Sequence, residues 1–262
     1  MNKKKVLIFG ATTEIALFFS RHFLSSGYEL LLSSNDRARL QARGLELEKD
    51  FLPGRITLLR LDLSERAETE RFLSNLEKEW SEIEIICLCM GLNETTLADI
   101  TDPEIIDKIS QINFLSPTRI ISRAINAWIK NGSKKKIFYT SSIAAARPLN
   151  HFIYASSKIA TEYFIRGLQM RSEFKFVQFY IFRIGQINNS PQSILGKITT
   201  STSSAVSKKI LYRLSGKGGF FYIPGLWFLI CNVLLLFSDN ALSYLKKFLQ
   251  TEKQGSAYKK KV

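Results

Sequence analysis

Six short apolar runs, at residues 5–9, 29–33, 56–61, 83–89, 136–140 and 175–182, alternate with amphipathic stretches. This alternation sharply limits what the chain can fold into. The runs have strand length, and residues 15–25, 37–50, 64–80, 104–130 and 155–172 between them carry helical periodicity. A βαβα order implies a mostly parallel sheet covered on both faces, a doubly wound α/β fold. Ligands of such sheets lie beyond the carboxyl ends of the strands, where Gly10, Asp62, Gly91, Ser142 and Gly185 fall. At 262 residues the chain can bury a core that needs neither disulfides nor structural metal. Its three cysteines cannot all pair, and Cys87 and Cys89 lie within an apolar run, so reduced thiols in a cytosolic setting are expected. With only His22 and His151 available, and neither near a cysteine, no metal site is expected. The apolar run after Lys3-Lys4-Lys5 is too short for a signal peptide and reads as the first strand.

Gly10-Ala11-Thr12-Thr13-Glu14-Ile15-Ala16 follows that strand and opens the first helix, where backbone N–H groups and the helix dipole attract phosphate. Gly10, Thr12, Thr13 and Ile15 are the candidate contacts. A full dinucleotide fingerprint has glycine at positions 14 and 16, and an ordinary strand-to-helix turn would read much the same. At the tip of the second strand, Ser33, Ser34 and Asn35 stand where an acidic residue would bind the ribose of NAD. Arg37 or Arg39 could hold a 2′-phosphate, which favours NADP(H) over NAD(H); both could equally be a solvated helix face. Asp62-Leu63 suits an adenine contact, and Asp62 could also cap the next helix.

Tyr154 and Lys158 stand four residues apart, so on a helix they share a face. A nearby ammonium favours phenolate and would draw the tyrosine towards use as an acid near pH 7. An exposed Tyr and Lys on an amphipathic helix would show the same spacing. Gly10-Ala11-Thr12, Asp62-Leu63, Asn113, Ser141-Ser142, Tyr154-x-x-x-Lys158 and Arg183-Ile184-Gly185 occur in the order found in the short-chain dehydrogenases/reductases, which the chain resembles from Lys5 to Gly185. The resemblance implies a Rossmann-type catalytic domain over residues 1–205 and an NAD(P)-dependent oxidoreductase. It also implies a catalytic tetrad of Asn113, Ser142, Tyr154 and Lys158, with Gly91, Gly185, Tyr154 and Lys158 among the cofactor contacts. Tyr154 would protonate a carbonyl oxygen and Ser142 would stabilise the alkoxide. Lys158 would lower the phenol pKa and bind the nicotinamide ribose, and Asn113 would position a relay water. The family's usual spacing selects Ser141 instead of Ser142, whereas the Ser-Ser-x-Ala pattern selects Ser142. Members often dimerise through the two long helices, here residues 104–130 and 155–172.

Gly-Ala-Thr-x-Glu-Ile-Ala at the first turn, apolar residues before Gly91, Phe152-x-Tyr154-x-x-x-Lys158 and the stretch Lys217 to Pro224 are similar to a subgroup that reduces lipid-linked keto-sugars. Its best-known member reduces a decaprenyl-phosphate-linked keto-pentose after an oxidase has acted. That implies a lipid-linked or nucleotide-linked sugar substrate, a partner oxidase, and work in cell-envelope polysaccharide biosynthesis. The net charge of +14 is concentrated at the end of the chain, where ten Lys or Arg face only Asp239 and Glu252 after residue 206. Between Lys217 and Asp239 lie 21 uncharged residues, enough for a membrane span, although Pro224, Gly225 and Asn232 favour an interfacial helix. Residues 206–262 therefore read as a basic, apolar extension at the cytoplasmic membrane face, or as a core helix and lid over the substrate. The lysines flank an apolar segment and do not alternate with stacking aromatics, so no nucleic-acid partner is expected. The Ser/Thr-rich stretch 190–207 takes the place of a mobile substrate loop. Two other readings are the same chemistry on a lipid carbonyl and a non-catalytic NADP-binding sensor.

Overall fold

The computed structural model describes residues 4–94, 96–129, 133–147, 151–187, 200–238 and 240–241. Its single sheet has the order β3-β2-β1-β4-β5-β6-β7, with every neighbouring pair parallel. The strands are β1 (Lys5–Phe9), β2 (Glu29–Ser34), β3 (Ile56–Arg60), β4 (Ile83–Leu88), β5 (Lys135–Ser142), β6 (Val177–Ile184) and β7 (Gly219–Ile223). Strand order reverses between β1 and β4, and the crevice opens at that switch point.

Alternation along the strands makes two cores. Val6, Ile8, Leu30, Leu32, Phe138 and Tyr180 pack on one face with α1 (Glu14–Ser25). On the same side lie α2 (Arg37–Glu48) through Leu40 and Leu47, and Val206 and Ile210 of the C-terminal region. Leu7, Phe9, Leu31, Ile86, Ile137, Tyr139 and Phe179 pack on the opposite face. They meet α3 (Arg66–Asn75), α6 (Ser116–Trp128) and α7 (Phe152–Gln169). Inner strands buried on both faces read as continuous apolar runs, which is why the sequence located them well.

Four features depart from the sequence expectations. The helix expected over 104–130 is interrupted: α5 (Pro103–Ser110) passes through a π-turn at Gln111–Leu115 before α6, with a short α4 (Leu97–Thr101) ahead of it. Of the stretch 190–207, residues 190–199 lie outside the described residues. From Ser203 the chain is α8 (Ser203–Leu214), which Thr202 caps through the Ala205 N–H at 3.1 Å and which runs on through residue 205.

The apolar tail contributes a strand before its helix. Phe221 stacks on Phe182 with ring centroids 5.5 Å apart, pulling Gly219–Ile223 into the sheet as β7. Only Leu226–Leu235 remains for α9, whose ten residues span about 15 Å, half the hydrocarbon thickness. The membrane-span reading of the tail is thereby corrected: no helix among the described residues is long and apolar enough to cross a membrane.

Candidate active site

The first turn is built around Gly10, whose φ is +70°. A Cβ there would lie 2.7 Å from the Met90 backbone nitrogen, so only glycine lets β1 come this close to the end of β4. Thr13 caps α1, its hydroxyl accepting from the Ala16 N–H at 3.3 Å. Glu14 neither caps the helix nor closes the turn; it is exposed and leans towards Arg43, 3.9 Å away. Arg43 also donates to the Thr12 carbonyl at 3.2 Å, tying the turn to α2.

A cleft of about 370 Å³ runs from Gly10, Thr12 and Thr13 past Ser33, Ser34, Asn35 and Arg39 to Asp62, Leu63 and Gly91. Arg37 does not line it. Arg37, the first residue of α2, is exposed, and Arg39, two residues further on, lines the cleft. Asp36 is engaged as that cap, accepting from the Arg39 N–H at 3.0 Å, so the only carboxylate among the described lining residues is Asp62. Asp62 closes a tight turn by accepting from both the N–H and the hydroxyl of Ser64, at 2.9 and 2.7 Å, and it does not cap α3, whose cap position is Glu65. Burial opposes its ionisation, but the Ser64 hydrogen bonds and the charges of Lys108 and Arg60 outweigh that and hold the carboxyl below its usual range.

A second cleft of about 360 Å³ shares Thr13, Met90 and Gly91 with the first and continues to Ser142, Tyr154, Lys158 and Gly185, with Ile15 on its wall. Two lobes that share wall residues, one lined by Thr12, Ser33 and Ser34 and the other by Ser142, Tyr154 and Lys158, suit an extended dinucleotide. Lys158 is buried and donates to the carbonyls of Met90 and Thr140, each at 3.0 Å. Burial lowers its pKa to about 8. Gly91 makes room for it, since a Cβ there would sit 3.2 Å from the ammonium nitrogen.

The expectation that Lys158 draws down the Tyr154 pKa is not met. Burial instead pushes the phenol above its ordinary value, against a lowering hydrogen bond with Ser142 and with a further rise from the Glu94 carboxylate. The ammonium is committed to the two carbonyls, 5.7 Å from the centre of the Tyr154 ring. Tyr154 stands beside Ser142 with its phenol biased towards the protonated form.

Asn113 sits at the π-turn, a distortion frequent at functional sites. Its amide oxygen accepts from Leu92 N–H at 2.9 Å, and its amide nitrogen donates to the Leu92 carbonyl at 2.7 Å and the Ser157 hydroxyl at 3.0 Å. Ser141 and Ser142 part company. Ser141 Oγ donates to the buried Glu162 carboxylate, whereas Ser142 faces Tyr154 and accepts from the Ala144 N–H at 3.2 Å.

Glu162 and Glu94 escaped the sequence reading, as did the contacts that Arg183 and Trp227 make. Glu162 on α7 forms a bidentate pair with Arg183 of β6, which also donates to the Tyr222 hydroxyl of β7 at 2.8 Å. The signal was there: a carboxylate one turn after Lys158, and an arginine breaking an otherwise apolar strand. Trp227 of α9 packs on Gly185, so the tail helix sits at the rim of the second cleft. Glu94, in the loop after β4, reaches the first turn of α7 and gave no signal in sequence.

The model of the family described as short chain dehydrogenase matches residues 4–192. An NADP-dependent 3-hydroxy acid dehydrogenase, YdfG, of Escherichia coli is 33% identical over 103 residues, 38% of this chain and 40% of that protein. The chain thus matches about two fifths of the length of this curated relative. A short-chain dehydrogenase from Sphingobium yanoikuyae in complex with NADPH superposes with a TM-score of 0.75 at 17% identity, covering 95% of both chains. A bulky-bulky ketone specific alcohol dehydrogenase from Comamonas testosteroni gives 0.73 at 18% identity, over 97% of this chain and 95% of that one. These likenesses establish the shared fold, and with the family match over most of the sequence the chain belongs to the short chain dehydrogenases.

Proposed function

We propose that the protein is an NADP(H)-dependent reductase of a keto group on a lipid-linked sugar, acting at the inner face of the cell membrane. The observation that carries this reading is the placement of Tyr154 beside Ser142 at one end of a two-lobed cleft whose rim is formed by an apolar helix. NADP(H) is preferred to NAD(H) because Arg39 lines the adenosine lobe and Asp36 is withdrawn into a cap. When bound, the cofactor supplies a hydride to the carbonyl carbon. Tyr154 gives its phenolic proton to the carbonyl oxygen, and Ser142 donates a hydrogen bond to the developing alkoxide. Lys158 carries a proton between two carbonyls next to this pair, and Asn113 fixes the loop that leads into Gly91 and Leu92.

The lipid part of the reading rests on α9. Phe228 and Leu229 there are each 60% exposed, and Leu236 at its C-terminal cap is 84% exposed. The exposed Lys208 and Lys209 share a cavity with Gly225 at the start of the helix, an arrangement suited to anionic headgroups. A two-step inversion in which an oxidase first makes the ketone fits such a reductase. The same apolar rim also favours a simple lipid carbonyl, the second reading. Incubating purified protein with NADPH and a membrane lipid extract, with mass spectrometry of the products, tests both. A two-hydrogen mass gain in a lipid-linked sugar is expected. The gain in a sugar-free lipid selects the second reading, and no NADPH-dependent product argues against both.

A further inference from the structure

We propose that Glu94 is the positioning residue for Tyr154, anchoring the first turn of α7 from the loop after β4. Glu94 is 2% exposed, and its two carboxylate oxygens accept separately from the N–H groups of Ile153 at 3.0 Å and Tyr154 at 3.1 Å. These are among the donors that a helix leaves without an intrahelical partner. The residue in the cap position of α7, His151, provides no side-chain cap; its backbone is left-handed and its ring Nδ1 bonds instead to the Glu94 carbonyl at 2.9 Å. The loop and the helix start therefore hold each other at three points.

The other end of the same loop is held by Asn113, which grips both the N–H and the carbonyl of Leu92. Between the two grips, at Leu92 and Glu94, lies only Asn93, which lines the catalytic cleft. Asn113, the loop and Tyr154 thus form one continuous hydrogen-bonded path that fixes where the phenol stands. A capping carboxylate from a distant loop, rather than from the residue before the helix, couples the position of Tyr154 to the cleft wall beneath the cofactor lobes. The ionisable groups that surround the phenol are Lys158 on its own helix, Tyr139 of β5, Cys89 after β4, His151 ahead of α7, and Glu94. Among them Glu94 supplies the negative charge, which disfavours phenolate and keeps the proton on Tyr154.

Glu94 acts through Tyr154 as the proposed acid, and both readouts below are taken on Tyr154 without substrate, so their outcome is independent of whether turnover is found. Full-length protein labelled with 13C at tyrosine Cζ and loaded with NADP+ is examined by NMR, with Tyr154→Phe assigning the resonance. In Glu94→Ala, amide exchange at Ile153 and Tyr154 should be at least fivefold faster, while exchange in β1 and β4 stays as in the wild type. Glu94→Gln keeps the size and an acceptor but removes the charge, and serves if the alanine variant does not fold. In it the Tyr154 midpoint should move to lower pH by at least about 0.3 unit. Exchange at both amides within twofold of the wild type overturns the proposal. So does faster exchange with an unmoved Tyr154 midpoint, because Glu94 would then be only a stabilising cap.

Discussion

Lys158 donates to two carbonyls, and burial brings its pKa down to about 8, which leaves it charged, but narrowly, at neutral pH. The unfolded chain keeps the same proton up to about 10.5, so between 8 and 10.5 the unfolded state binds more protons. Stability attributable to Lys158 therefore rises with pH across that window. Compared with Lys158→Met in urea denaturation at pH 7.5 and 9.5, wild type should gain relative stability at up to about 1.4 kcal/mol per pH unit. A flat difference would show that the ammonium is not desolvated as described. Arg39 makes a second test at this scale. Arg39→Ala should weaken NADPH binding roughly tenfold, about 1.4 kcal/mol, and leave NADH binding unchanged in fluorescence titrations. Equal weakening of both would remove Arg39 from 2′-phosphate recognition. In sequence, the Tyr154 to Lys158 spacing was legible because helix geometry dictates it. The sense of the Tyr154 shift was not, since it depends on burial and on Glu94, which reaches the helix from 60 residues away.

At the scale of elements, the Glu162–Arg183 pair fastens α7 to β6 and, through Tyr222, to β7. Both charges are buried, so removing one strands the other. Glu162→Ala should cost about 3–5 kcal/mol in urea denaturation, whereas replacing both residues with methionine should cost less. A double variant as damaging as the single one would mean the pair is not the source of the loss. The strands were readable because β1, β2 and β4 to β6 are apolar on both faces. The seventh strand was hidden inside what looked like one long apolar segment, and hydropathy alone cannot divide a strand from the helix after it. The π-turn was likewise invisible: Asn113 continues a helical pattern, and its grip on Leu92 and its bond from the Thr161 hydroxyl appear only in the fold.

For the whole molecule, the exposed face of α9 is the feature that sets the proposed working place of the enzyme. Paired Phe228→Asp and Leu236→Asp substitutions should reduce flotation with anionic phospholipid vesicles roughly tenfold or more, since each buried apolar side chain is worth about 1.5–3 kcal/mol. Unchanged flotation would separate the protein from membranes through this face. The central claim is more specific than location. It is tested most directly by following deuteride from labelled NADPH into a lipid-linked keto-sugar with wild type and Tyr154→Phe. The label should appear at the former carbonyl carbon with wild type. Tyr154→Phe should bind NADPH within about twofold of wild type and turn over at least ~100-fold more slowly. Label transfer at an undiminished rate without the phenol would contradict the assignment of Tyr154 as the acid.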